Sequence, residues 1–247
     1  ISSYAFYGTT SLKELVFPSE LTTIGSYAFN GTRIRVLNIP SKVKSIGSSA
    51  FAGDVALTSL TIPGNVETIG DYAFSGCSKA FTSLELKNGV SVGDYAFAKC
   101  GTLTSATIDT NSISSGVFED CTVLNSINIG SSVTSIGSYS FQNCNSLRSV
   151  TIPDSITSIG GRAFYDCSGL TSCTIGSGVT NIGDEVFRWC SSLKSITVDA
   201  TIPPTLGSLA FYGSTCPIYV PSGSLEAYKS ASEWSDYASR IHPMPNS

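Results

Sequence analysis

Hydrophobic positions along this chain fall on a lattice. Phenylalanine recurs at Phe6, Phe29, Phe51, Phe74, Phe97, Phe118, Phe141, Phe164, Phe187 and Phe211, in steps of 23, 22, 23, 23, 21, 23, 23, 23 and 24. Five residues before each stands a branched aliphatic: Ile1, Ile24, Ile46, Ile69, Val92, Ile113, Ile136, Ile159, Ile182 or Leu206. The residue just before the Phe is small, usually Ala and otherwise Val117, Ser140 or Val186. About six residues after it comes L-x-x-L-x-L, as in Leu57/Leu60/Ile62, Leu147/Val150/Ile152 and Leu193/Ile196/Val198. A unit of about 23 residues is too small to bury its own apolar face, and stacked units cover one another.

The polar positions predict the elements. In Leu57-Thr-Ser-Leu60-Thr-Ile62 the last aliphatics alternate with hydroxyl residues, the signature of a half-buried strand. Stacking such strands gives a parallel sheet, ended by Pro18, Pro40, Pro63 and Pro153, which cannot donate to a ladder. Opposite the strand, Ser or Asp three residues before the Phe (Ser26, Ser48, Asp71, Asp94, Asp184) reads as the N-cap of a brief helical turn. The Gly before it (Gly25, Gly47, Gly70, Gly93) marks backbone that a side chain would hinder. The expected fold is an α/β repeat solenoid of ten repeats over residues 1–220, the first and last atypical. A C-terminal cap follows over 221–247. In it Ser224 to Ala231 forms a short helix with Ser224 as N-cap, and Trp234, Tyr237 and Ile241 close the last rung.

The consensus L-T-S-I-T-I-P-x-S-V-T-S-I-G-x-Y-A-F-x-x-C-S-S resembles the BspA-type leucine-rich repeat, a 23-residue class of bacterial surface proteins. The likeness spans Ile1 to about Val220, and the tail from Tyr219 through Tyr237 resembles their closing module. The resemblance implies a right-handed leucine-rich-repeat solenoid, bent as a horseshoe or arc, displayed extracellularly or on the cell surface. It also implies adhesion to host or bacterial proteins, extracellular-matrix proteins among them. A shared fold does not name a ligand.

Composition narrows the function. Charged residues are only 13% and hydrophobic ones 41%, so the chain can build a core, and the net charge of −4 comes without any basic run. Nucleic acid and anionic membrane surfaces are therefore poor partners, and no apolar stretch is long enough for a membrane span. The chain starts at Ile1 inside a repeat, which raises the expectation of a processed or truncated product with sequence before it, or of a cap from another chain; the protein itself is expected to be monomeric.

Candidate chemistry is sparse. Cys77, Cys100, Cys121, Cys144, Cys167 and Cys190 each sit three residues after the repeat Phe, where earlier repeats carry Thr9, Thr32 and Asp54. That is a ladder position suited to a buried free thiol, although adjacent rungs would also bring two thiols within reach of a disulfide. Cys173 takes a strand core position and Cys216 has no repeat role. The only histidine, His242, lies near the chain end, so Ser-His and Cys-His catalysis have no second site. Asp71 and Asp94 stack at one offset and read as caps rather than a catalytic pair or a calcium site. No enzyme activity, cofactor or metal is expected.

Binding is the remaining class. The outward strand positions are mostly hydroxyls (Ser59/Thr61, Ser105/Thr107, Ser149/Thr151, Ser172/Thr174, Ser195/Thr197), with Glu85 and Asn128 as exceptions. Such a stripe has little anchoring power. The tyrosines two residues before the Phe (Tyr4, Tyr27, Tyr72, Tyr95, Tyr139) read as a structural edge row. The position just after the Phe, mostly small or polar early on, becomes Tyr165, Arg188 and Tyr212 in three consecutive repeats, and Trp189 follows Arg188. If these four side chains point outward they form a partner-binding cluster with Trp189 exposed; otherwise they pack on the cap. The ligand would be a protein, the alternatives being a glycan or no ligand at all in a spacer repeat.

Overall fold

The computed structural model describes residues 1–245, apart from the side chains of Ser59 and Leu60; the expected outward placement of Ser59 thus lies outside the described residues. The chain coils into a solenoid of stacked, parallel-paired rungs. One row of strands comes from the L-x-x-L-x-L motif and is extended at its C-terminal end by two strands outside it. It forms three ladders: Val36–Asn38 with Ser59–Thr61; Ser83–Leu86, Ser105–Ile108 and Ser126–Ile129; and Ser149–Ile152, Ser172–Ile175, Ser195–Val198, Ile218–Val220 and Ile241–Pro243. Register follows the repeat: Val150 faces Cys173, which faces Ile196. The strands Val36–Asn38 and Ser59–Thr61 stop one residue short of the aliphatic that precedes Pro40 and Pro63, and Ser149–Ile152 ends at Pro153.

A second strand row is a finding beyond the sequence reading. The aliphatic five residues before the Phe sits in two-residue strands: Thr23–Ile24, Ser45–Ile46, Thr68–Ile69 and Ser91–Val92 in one sheet, and Ser135–Ile136, Ser158–Ile159, Asn181–Ile182 and Thr205–Leu206 in another. A two-residue strand carries too few alternations to show a period. The first ladder ends after Thr61, where the next repeat holds one extra residue: Phe81, Leu84 and Leu86 stand seven, ten and twelve places after Phe74 instead of six, nine and eleven. Across that break the short strands Thr68–Ile69 and Ser91–Val92 remain paired.

Between the two strand rows and the turns runs a column of phenylalanines. Phe29 through Phe211 are fully buried at every repeat. Consecutive rings stack 5.1 to 6.1 Å apart, and the widest gap, Phe97 to Phe118, spans the 21-residue repeat. Each stacked pair contributes about 0.5–1.5 kcal/mol beyond its area burial.

The turns around that column are not helices. Their N–H groups alternate: Tyr27, Phe29 and Gly31 donate to Ser48, Ala50 and Ala52 on the next rung, whereas Ala28, Asn30 and Thr32 donate three residues back within their own turn. A backbone that turns every second N–H toward its neighbour needs left-handed residues at intervals. They fall two before the Phe (Tyr27 φ 58, Tyr72 φ 57, Tyr139 φ 61) and two after it (Gly31 φ 70, Gly76 φ 76, Asn143 φ 60). The N-cap reading of Ser and Asp is corrected accordingly. Asp71 Oδ1 accepts the Asp94 N–H at 2.9 Å, Asp94 Oδ1 accepts that of Ser115 at 2.9 Å, and Asp184 Oδ1 accepts that of Ser208 at 2.8 Å. These carboxylates tie each rung to the next instead of capping a helix. The glycine before them packs as expected, since a Cβ on Gly47 would strike the backbone of Ser26.

All eight cysteines are unpaired and buried. The six ladder thiols donate to the carbonyl of the preceding rung's Phe, as in Cys77 to Phe51 and Cys190 to Phe164, both 3.1 Å. Burial pushes the Cys190 thiol up to about 12. Asp54 takes the same rung position as a fully buried carboxyl that accepts from Thr32 Oγ1 at 2.8 Å.

At the C-terminal end the helix Leu225–Ser230 and a 3-10 segment Trp234–Arg240 lie over the last rung. Trp234 and Tyr237 pack on Phe211 with centroids 5.7 and 5.3 Å away. The Trp234 indole N–H donates to the Pro204 carbonyl at 2.8 Å and the Tyr228 hydroxyl to that of Ala200 at 2.7 Å, so both aromatics are buried with their polar ends satisfied. Ser224 holds the expected N-cap position but makes no side-chain capping bond; its hydroxyl donates to the Thr201 carbonyl at 2.6 Å. The strand Ile241–Pro243 continues the main sheet past Ile218–Val220.

Candidate functional site

The turn surface is laid out in rows, one residue per rung, about 4.8 Å apart as in any parallel ladder. Two residues after the Phe the rows read Gly8, Gly31, Gly53, Gly76, Lys99, Asp120, Asn143, Asp166, Trp189 and Gly213, and all ten have positive φ. Gly adopts this region freely and Asn or Asp tolerate it, whereas a bulky side chain is disfavoured there. Trp189, at φ 64, is the aromatic member of the row. It is 41% exposed and Tyr212 48%, so the outward placement expected of Trp189 is the one found.

The ring partners of these residues are one another. Trp189 and Tyr212 meet edge to face at 5.2 Å, and the Arg188 guanidinium carbon lies 5.4 Å from the first centroid and 5.2 Å from the second. Tyr165 is half-buried one rung earlier and meets a different arginine: Arg162 sits 5.4 Å from its centroid and 6.0 Å from that of Tyr139. Glu185 joins the two halves. It accepts from Arg162 Nε at 2.6 Å and from Arg188 Nη1 at 2.7 Å. The Arg162 hydrogen bond, then that of Arg188, holds the Glu185 carboxyl below the usual glutamate value, and Glu185 in turn raises Arg162. The Nε of Arg188 is covered and makes no hydrogen bond.

The cluster thus contains Tyr165, Arg188, Trp189 and Tyr212 together with three residues that the sequence reading left out: Tyr139, Arg162 and Glu185. Tyr139 stood in the edge row. Arg162 and Glu185 follow it in that same row, where the tyrosines give way to charge, and that substitution was the available signal. The edge row itself is built of stacked rings, Tyr4 on Tyr27 at 4.9 Å and Tyr72 on Tyr95 at 5.0 Å. Gly116 belongs to the same row, and the Tyr95 ring fills the space where its Cβ would be.

Other features lie elsewhere. A recess of about 460 Å³ opens on the strand side at the break between ladders, lined by Thr61, Ile62, Phe81, Glu85 and Lys87 among others, and it contains none of the cluster residues. His242 is exposed in the final strand beside Tyr219. Among the described residues no group of three or more His, Cys, Asp or Glu is arranged to hold a metal, and no helix is long and apolar enough to cross a membrane.

Comparison with known proteins bears on the scaffold. Residues 1–123 and 111–220 match the BspA type leucine rich repeat region, in six copies. The chain superposes on the pneumococcal vaccine antigen PcpA with a TM-score of 0.56 at 18% identity, covering 98% of this chain and 74% of that one. A leucine-rich repeat protein from Eubacterium ventriosum gives 0.53 at 20% identity, covering 86% and 67%. The leucine rich repeat protein of T. pallidum is 26% identical over 72% of this chain and 75% of that one, with a TM-score of 0.47. The first two likenesses establish the shared fold. No curated protein matches the chain.

Proposed function

Because the chain belongs to the BspA-type leucine-rich-repeat family, we propose that it is a non-catalytic, monomeric binding module displayed outside the cell, residues 1–220 forming the repeat scaffold and 221–247 its cap. Its recognition surface is the cluster of Tyr165, Arg188, Trp189 and Tyr212 on the turn side, and its ligand is a protein, with host extracellular-matrix proteins the first to test. The observation that carries this reading is the coincidence of two local costs on consecutive residues. Trp189 holds a left-handed backbone where five of the ten rungs use Gly, and the neighbouring Arg188 Nε is covered without a partner. Each costs on the order of 1–3 kcal/mol. A chain that needed only to fold has Gly or Asn available for that position. Exposed Trp, Tyr and Arg are the residue types that anchor protein interfaces.

The ring contacts favour a protein over a glycan. Sugars stack on open aromatic faces, but here Arg188 covers both Trp189 and Tyr212, and Arg162 covers Tyr165. Trp189 and Tyr212 both remain exposed enough to face a partner. A binding screen against extracellular-matrix proteins, run beside a glycan array, tests the proposal. A protein ligand whose affinity drops by about 2 kcal/mol on Trp189→Ala is expected. Binding unaffected by Trp189→Ala would move recognition off this cluster, and hits confined to the glycan array would overturn the partner class.

A further inference from the structure

Glu185 accepts hydrogen bonds from two guanidiniums at once, that of Arg162 on the rung before and that of Arg188 three residues on. Its side chain is only 14% exposed, whereas that of Arg162 is 45% exposed. Each arginine in turn lies against two rings: Arg162 against Tyr139 and Tyr165, Arg188 against Trp189 and Tyr212. One carboxylate therefore fixes, through two arginines, four aromatic side chains on four consecutive rungs. Elsewhere the same row position holds Tyr, Ser, Gly, Arg or Leu, and Glu185 is its one acidic member.

From this geometry we propose that Glu185 is the positioning residue of the cluster, an inference that rests on the reading of the cluster as the recognition surface. Arginine and aromatic side chains lose conformational freedom when a partner immobilises them, and a surface ordered beforehand avoids that loss. Glu185 supplies the order in the free protein. The carboxyl is held below the ordinary glutamate range, so the clamp stays charged at neutral pH.

The role is testable without any ligand, because the chain has two tryptophans and the other, Trp234, is fully buried. Acrylamide quenching of tryptophan fluorescence then reports chiefly on Trp189. Glu185→Gln, isosteric but uncharged, is expected to raise the quenching constant about twofold by loosening the clamp. Glu185→Asp, charged but shorter, is expected to raise it less, and the distant control Glu20→Gln to leave it unchanged. All variants should keep the wild-type melting temperature to within a few degrees. Unchanged quenching in Glu185→Gln would overturn the proposal. So would a rise accompanied by a large fall in melting temperature, which would make Glu185 a structural residue. Failure of the recognition reading gives a separate result: the quenching shift appears, yet Trp189→Ala leaves protein binding intact.

Discussion

At the scale of single residues, the positions that depart from the rung pattern reveal what the pattern requires. Asp54 is the plainest case. It occupies the row that later holds six thiols, and burial raises its pKa above the ordinary 3.8 despite hydrogen bonds from Thr32 and the Ala56 N–H. A carboxyl with a raised folded-state value favours the folded chain most when both states are protonated, below 3.8. That contribution is lost as pH rises through the raised value. Asp54→Cys should therefore raise stability at neutral pH by about 1 kcal/mol and, by removing a group that gains stability on acidification, steepen the acid limb of a melting-temperature profile; a variant with the same profile as wild type would refute the account. Trp189 tests the other direction. Trp189→Asn, which places there the residue that Asn143 supplies two rungs earlier, should leave stability unchanged or raise it by about 0.5–1 kcal/mol in urea unfolding. A loss above about 1 kcal/mol would show that the ring's contacts outweigh its backbone cost.

The elements were legible to different degrees, for physical reasons. The main strands were readable because alternation over four residues, as in Ser149–Ile152, exposes a period of two. The short strands such as Ser45–Ile46 were not, although their buried aliphatic was plain. The turns were misread as helical because Ser and Asp before a buried Phe also occur at N-caps. Only the alternation of N–H directions distinguishes the two, and that lives in the backbone rather than in side-chain type. Of the cluster, the four residues that break two mostly small or polar rows stand out, whereas Arg162 and Glu185 show only as charge in a row of tyrosines, since their importance lies in contacts across rungs. The glycine before each turn offers an element-scale prediction. Gly47→Ala would drive a Cβ into the Ser26 backbone, and chemical denaturation should show a loss of about 1–3 kcal/mol. Wild-type stability in that variant would mean that rungs can slide apart at little cost.

Across the whole molecule, each rung touches only its neighbours, so stability is a chain of nearest-neighbour terms and the ends matter most. The C-terminal end is closed by Trp234, Tyr228 and Tyr237 over Phe211. Trp234→Ala should cost about 3–5 kcal/mol and should speed hydrogen exchange in the rungs around Phe211 and Phe187 before those around Phe51. Uniform acceleration along the chain would instead mean that the solenoid opens as one unit. The thiol column makes such behaviour measurable with ordinary chemistry. Six protected sulfhydryls, one on each rung from Cys77 to Cys190, amount to a graduated scale fixed along the axis. Pulsed alkylation followed by peptide mass spectrometry would read it one mark at a time, giving the order in which the rungs part without introducing a single new residue.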